Sequence, residues 1–97
     1  MVQTVFSMTL LPGQQKIFFE KPHVLCRIYY SITAFASSTM WQESRISFDD
    51  PMFSSFYVLG GRYSYFEVKG DGISQGDIWV RNNSGITLYY TGTEILV

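Results

Sequence analysis

Val24-Leu25-Cys26-Arg27-Ile28-Tyr29-Tyr30-Ser31-Ile32-Thr33-Ala34-Phe35 splits into two unlike sets when every second residue is taken. Val24, Cys26, Ile28, Tyr30, Ile32 and Ala34 are mostly apolar, while Leu25, Arg27, Tyr29, Ser31, Thr33 and Phe35 are mixed. Side chains alternate across a β-strand, so this period of two predicts a strand with one face in a core. The run that follows repeats the pattern. Met40, Gln42, Ser44, Ile46 and Phe48 share one face; Trp41, Glu43, Arg45 and Ser47 share the other. Ala36-Ser37-Ser38 suits a hairpin between the two runs.

The C-terminal third obeys the same rule. Ile78 and Val80 point one way; Asp77, Trp79 and Arg81 point the other. Asn83-Ser84-Gly85 reads as a tight turn using positive φ angles. Ile86, Leu88 and Tyr90 continue the inward face, and Thr91-Gly92 reads as a further turn before a last strand. Elsewhere the breaks are Pro12-Gly13, Lys21-Pro22, Asp49-Asp50-Pro51, Gly60-Gly61, Gly70-Asp71-Gly72 and Gly76-Asp77. No segment has helical periodicity. The expected strands are 3–10, 15–20, 23–35, 39–48, 53–59, 62–68, 77–82, 86–90 and 93–97. The spacing predicts an all-β chain: one domain over residues 1–97, a single antiparallel β-sandwich, jelly-roll-like, with about eight strands.

Composition excludes several functions. The 97 residues carry a net charge of −1, which argues against a nucleic-acid partner that needs a basic face. One Cys and one His allow neither an internal disulfide nor a conventional structural zinc site. No apolar stretch approaches the roughly 20 residues of a membrane-spanning helix, so no membrane is expected. The first residues lack the pattern of a secretory leader, and the expected place of synthesis is the cytosol. For the same reason Asn82-Asn83-Ser84 is read as turn chemistry rather than a glycosylation site.

No catalytic centre emerges. His23 and Cys26 fall on opposite faces of one strand, and Cys26 reads as a buried small hydrophobe. Asp49 and Asp50 suit capping of backbone N–H groups in a turn. The loop Asp71-Gly72-Ile73-Ser74-Gln75-Gly76-Asp77 offers hard oxygen ligands but lacks the dense acids of a calcium loop, so neither metal nor cofactor is expected. Arg27 with Tyr29, Arg62 with Tyr63 and Tyr65, and Trp79 with Arg81 interleave cations and rings. Such arrays stack sugars, or simply lay Arg stems over aromatic rings on a sheet face. Aromatic residues make up 18% of the chain. A small interior has little room for them, and the surplus is expected to be buried against neighbouring subunits.

Gly76-Asp77-Ile78-Trp79-Val80-Arg81-Asn82-Asn83-Ser84-Gly85, followed by Thr93-Glu94-Ile95, resembles the ends of small all-β virion proteins of tailed bacteriophages. The preceding layout is similar too: an extended start, Leu11-Pro12-Gly13, a long strand through Ile28-Tyr29-Tyr30-Ser31-Ile32, and a Phe-rich middle. The resemblance implies a β-sandwich that decorates or cements a capsid, or sits in a tail or fibre, often as a trimer. It transfers no functional residue, because that family carries no catalytic signature. The aromatic content departs from the Thr/Ala/Gly-rich members and leaves the exact role open.

The resulting expectation is a phage virion structural protein, a capsid-decoration or head-associated subunit made in the host cytoplasm. It is not expected to be an enzyme. Its partners would be itself, as a homo-oligomer, and other virion proteins. Tyr29, Trp41, Tyr65 and Trp79 are the candidate contact residues, and core packing suits each of them equally. The alternative is a carbohydrate-binding module of a host-recognition appendage, with Trp41 or Trp79 as its stacking platform.

Overall fold

In the computed structural model, which describes residues 3–20, 26–34, 42–59, 63–68 and 76–96, alternation has produced eight strands. They are β1 (Gln3–Leu10), β2 (Gln15–Phe19), β3 (Cys26–Ala34), β4 (Ser44–Phe48), β5 (Tyr57–Val58), β6 (Tyr63–Val68), β7 (Ile78–Asn82) and β8 (Leu88–Leu96). β1-β8-β3-β6 form one sheet and β2-β7-β4-β5 the other. The first strand pairs with the last, the second with the seventh, the third with the sixth and the fourth with the fifth, all antiparallel. A long hairpin rolled up in this way is a jelly roll.

The inner faces are those the alternation selects. Ile28, Tyr30 and Ile32 of β3 and Leu88 and Tyr90 of β8 meet Ile46 of β4 and Ile78 and Val80 of β7 in one buried cluster. A β-bulge between Ile17 and Phe19 turns both Phe18 and Phe19 inward. Phe18 then meets the edge of Tyr90 across the sandwich at 6.3 Å and 74°. The Tyr90 hydroxyl reaches Ser44 of the facing sheet at 2.6 Å, so this fully buried ring also has its polar end satisfied.

Four sequence readings need correction. Residues 86–90 and 93–97 are not two strands: β8 runs unbroken from Leu88 to Leu96, with Gly92 inside it. The glycine is required by packing. A Cβ there would stand 2.9 Å from Cζ of Phe19 and 3.1 Å from Cζ of Phe18. Residues 53–59 are not a strand either; β5 keeps only Tyr57 and Val58.

The expected hairpin after β3 is absent, because β4 belongs to the opposite sheet, and the expected tight turn after β7 is instead a crossing between sheets. Ala36-Ser37-Ser38 itself lies outside the described residues. The chain leaves β7 by a corner built on fully buried Asn82. Its side chain donates to the carbonyls of Leu10 and Ile86 and accepts from the amide of Ser84. Positive φ angles occur at Gly13, Asp49 and Phe53 among the described residues, not at Asn83-Ser84-Gly85.

Two outcomes follow from this packing. Gly92→Ala is expected to destabilise the fold. Overpacking costs about 1–3 kcal/mol, which outweighs the roughly 0.5–1 kcal/mol gained by removing a strand glycine. A urea titration with an unchanged or higher midpoint would refute the packing argument. The second outcome is alkaline. Burial pushes the Tyr90 phenol and the Cys26 thiol each up to about 12, with Glu94 adding to the effect on Cys26. Both groups ionise first in the unfolded chain, from about pH 8.5 for the thiol and 10 for the phenol. Stability should therefore be full below about pH 8.5 and decline as pH rises towards 12. Tyr90→Phe should flatten that decline in unfolding curves collected from neutral to alkaline pH.

Candidate functional site

The register of the first sheet places Tyr29 directly opposite Tyr65 and Arg27 directly opposite Glu67 on its outer face. The two tyrosine rings pack at 5.3 Å, tilted by 38°. Arg27 lies over the Tyr65 ring at 5.2 Å and reaches Glu67 at 3.4 Å. Around them the described outer face carries Ser31, Thr33, Thr91 and Thr93, with Ile95 beside Arg27, so it presents rings and hydroxyls next to the exposed Arg27–Glu67 pair.

Trp79 lies on the outer face of the other sheet, between Ile17 and Ser47 in register. It is thus on the far side of the sandwich from Tyr29 and Tyr65. Trp41 lies outside the described residues, as do His23, Arg62 and residues 71–75 of the glycine-rich loop. The candidates therefore divide: Tyr29 and Tyr65 form one pair, and Trp79 belongs to a different surface.

That second surface is already occupied. Residues 49–56 fold over it, organised by Asp50, whose carboxylate accepts from the amides of Met52, Ser54 and Ser55 at 3.0, 2.8 and 3.3 Å. This capping prevents a strand there. It lowers Phe53 onto Arg81 at 4.4 Å and Phe56 onto Arg45 at 4.3 Å. Gln15 donates to the carbonyl of Pro51, and Ser47 to that of Ser55. Arg45 and Arg81 are direct cross-strand neighbours, a repulsive arrangement relieved by separate partners. Arg81 bonds to Gln15 and Arg45 to Glu43. The Arg45 guanidinium, with Asn83, holds the Glu43 carboxyl below the usual carboxylate range.

Among the described residues, the edge strands β5 and β6 of the two sheets border a common groove of about 390 Å³, with Tyr30, Phe48 and Phe66 among its lining residues. Of its lining residues Tyr57 is 64% exposed, and Val58 and Tyr65 are exposed as well; Tyr63, at the start of β6, is 77% exposed. Sequence reading selected Tyr65, noted Tyr63 only as part of an array with Arg62, and missed Phe56, Tyr57 and Val58. The run from Phe53 to Leu59 has the local pattern of a half-buried strand, and only the structure shows that Tyr57 and Val58 alone pair, as a two-residue sheet edge.

Asp50→Ala should release the loop. Losing an acceptor shared by three amides is expected to cost about 1–2 kcal/mol and to open the chain to chymotrypsin at Phe53 and Phe56. A variant as protease-resistant as the parent would show that Asp50 does not hold the loop.

The sequence matches no protein-family model and no curated protein.

Proposed function

We propose that the protein is a structural subunit of a phage particle, a capsid-decoration or head-associated protein that works by contact with further copies and other virion proteins. Jelly rolls serve viral shells and lectins alike, so the fold narrows the choice and the surface must make it. The observation that carries the reading is the exposure of three large rings, Tyr57, Tyr63 and Tyr65, on the edge strands β5 and β6. Exposed apolar surface of this kind marks a contact site.

Magnitudes explain why assembly suits it. A patch of roughly 300 Å² contributes about 7 kcal/mol at ~25 cal/mol per Å². Association costs about 4–15 kcal/mol in lost freedom. One such contact is therefore weak, whereas contacts repeated over a particle reinforce one another.

A second reading has its own support. The Tyr29–Tyr65 pair amid hydroxyls, with Arg27 and Glu67 beside it, offers a stacking surface and polar groups suited to a glycan. This is the carbohydrate-binding alternative, moved from the tryptophans to the tyrosines.

Sedimentation equilibrium over a concentration series distinguishes the readings. Self-assembly predicts a mass that rises with concentration and falls back to the monomer in Tyr57→Ser and Tyr63→Ser, with unchanged unfolding midpoints. A strict monomer that instead binds a glycan array, and loses that binding in Tyr65→Ala, would replace the assembly reading with recognition.

A further inference from the structure

We propose that Arg81 binds a carboxylate, free or carried on a sugar ring, at the outer face of the second sheet. The site lies across the sandwich from Tyr29 and Tyr65 and is independent of both readings above.

The first argument is charge. Arg27 pairs with Glu67, and Arg45 with Glu43. Arg81 has no carboxylate partner among the described residues; its acceptor is the neutral Gln15. Arg45 faces it directly across the strands. Carboxylates on the adjoining segments are committed elsewhere. Glu43 accepts from Arg45 and Asn83, and Asp50 accepts from three amides of its own loop. Two opposed guanidinium groups with one carboxylate to share leave a positive charge uncompensated, and an anion beside Arg81 balances it.

The second argument is geometry. A guanidinium carries its N–H donors in a rigid fork: Nε and one Nη along the side, both Nη at the end. The Gln15 Oε1 atom occupies the side, accepting from Nε at 3.1 Å and from Nη2 at 2.5 Å. The end remains, where Nη1 and Nη2 present parallel N–H bonds that match the two oxygens of a carboxylate. Among the described residues, no side-chain nitrogen or oxygen shut off from solvent lacks a partner. Nη1 bonds to none of them, so it is open to solvent.

The third argument is rigidity. The Phe53 ring lies 4.4 Å from the Arg81 guanidinium carbon and covers one face of it. Gln15 is anchored in turn, donating to the carbonyl of Pro51. Phe53 is buried with a φ of 53°, a costly conformation for a bulky residue that the Asp50-capped loop imposes. The fork is therefore aimed before a ligand arrives, and little side-chain freedom is lost on binding. Charge also selects the class. A carboxylate carries a single charge, whereas a phosphate monoester carries roughly two and calls for a second free cation. Arg45 is already taken by Glu43.

The test is an NMR titration of the full chain that follows the arginine Nε–Hε signals. Sodium acetate, sodium glucuronate or inorganic phosphate is added to a chloride buffer at constant ionic strength. The Arg81 signal should move saturably with the carboxylates while those of Arg27 and Arg45 stay in place. Glucuronate binding tighter than acetate assigns the site to an acidic sugar; otherwise it takes free carboxylates. Arg81→Gln should weaken binding about tenfold, and Arg81→Lys, which keeps the charge but not the fork, about as much. Three results each overturn the site: an Arg81 signal that moves no more than the other two, phosphate binding tighter than both carboxylates, or undiminished binding in Arg81→Lys. Because three arginines report side by side in the native chain, the outcome stands even where a variant fails to fold.

Discussion

The sandwich depends on what happens around Tyr90. It is fully buried on the central strand β8, meets Phe18 edge-on and bonds through its hydroxyl to Ser44 of the other sheet. A phenol at this depth is stabilising only if its oxygen has a partner, and that partner can come only from the facing layer. The contact therefore fixes the spacing and alignment of the two sheets together. Two residues further along β8, Gly92 makes room for the Phe18 and Phe19 rings that the β2 bulge turns inward. Ring, hydroxyl, glycine and bulge are parts of one arrangement.

Once those rings fill the centre, there is no space for the rest. Phe18, Phe19, Tyr30 and Tyr90 are enclosed, whereas Phe56, Tyr57, Tyr63, Tyr65 and Tyr89 remain exposed. The distribution follows from topology. β8 and β3 are flanked on both sides and covered on their inner face, while β5 and β6 are edges. Rings on the inner faces, Tyr30 and Tyr90 of the central strands and Phe18 and Phe19 of the bulged strand β2, enter the core, whereas Tyr89 is on the outer face of β8 and the rings of β5 and β6 have a strand on only one side in the described sheets.

The described arginines are engaged within the chain. Arg27 faces Tyr65 and Glu67, Arg45 faces Phe56 and Glu43, and Arg81 faces Phe53 and Gln15. What the described surface presents is therefore rings and hydroxyls rather than an electrostatic field, and such a surface acts at short range.

Alternation along β3, β4 and β7 was legible in the residues and identified strands, inner faces and the all-β sandwich, because side-chain direction is a local property of extended backbone. The capping role of an aspartate near residue 50 was legible for the same reason. Phe53 to Leu59 and Thr91-Gly92 misled, since an aspartate can fold a β-rich run into a loop and a core ring can demand a glycine inside a straight strand. The candidate tyrosines were found, but their separation from Trp79 was not. Which strand becomes an edge, and hence which rings stay uncovered, depends on pairings between residues far apart in the chain. No local pattern encodes those pairings, because they are settled by the mutual fit of the two layers around a single core.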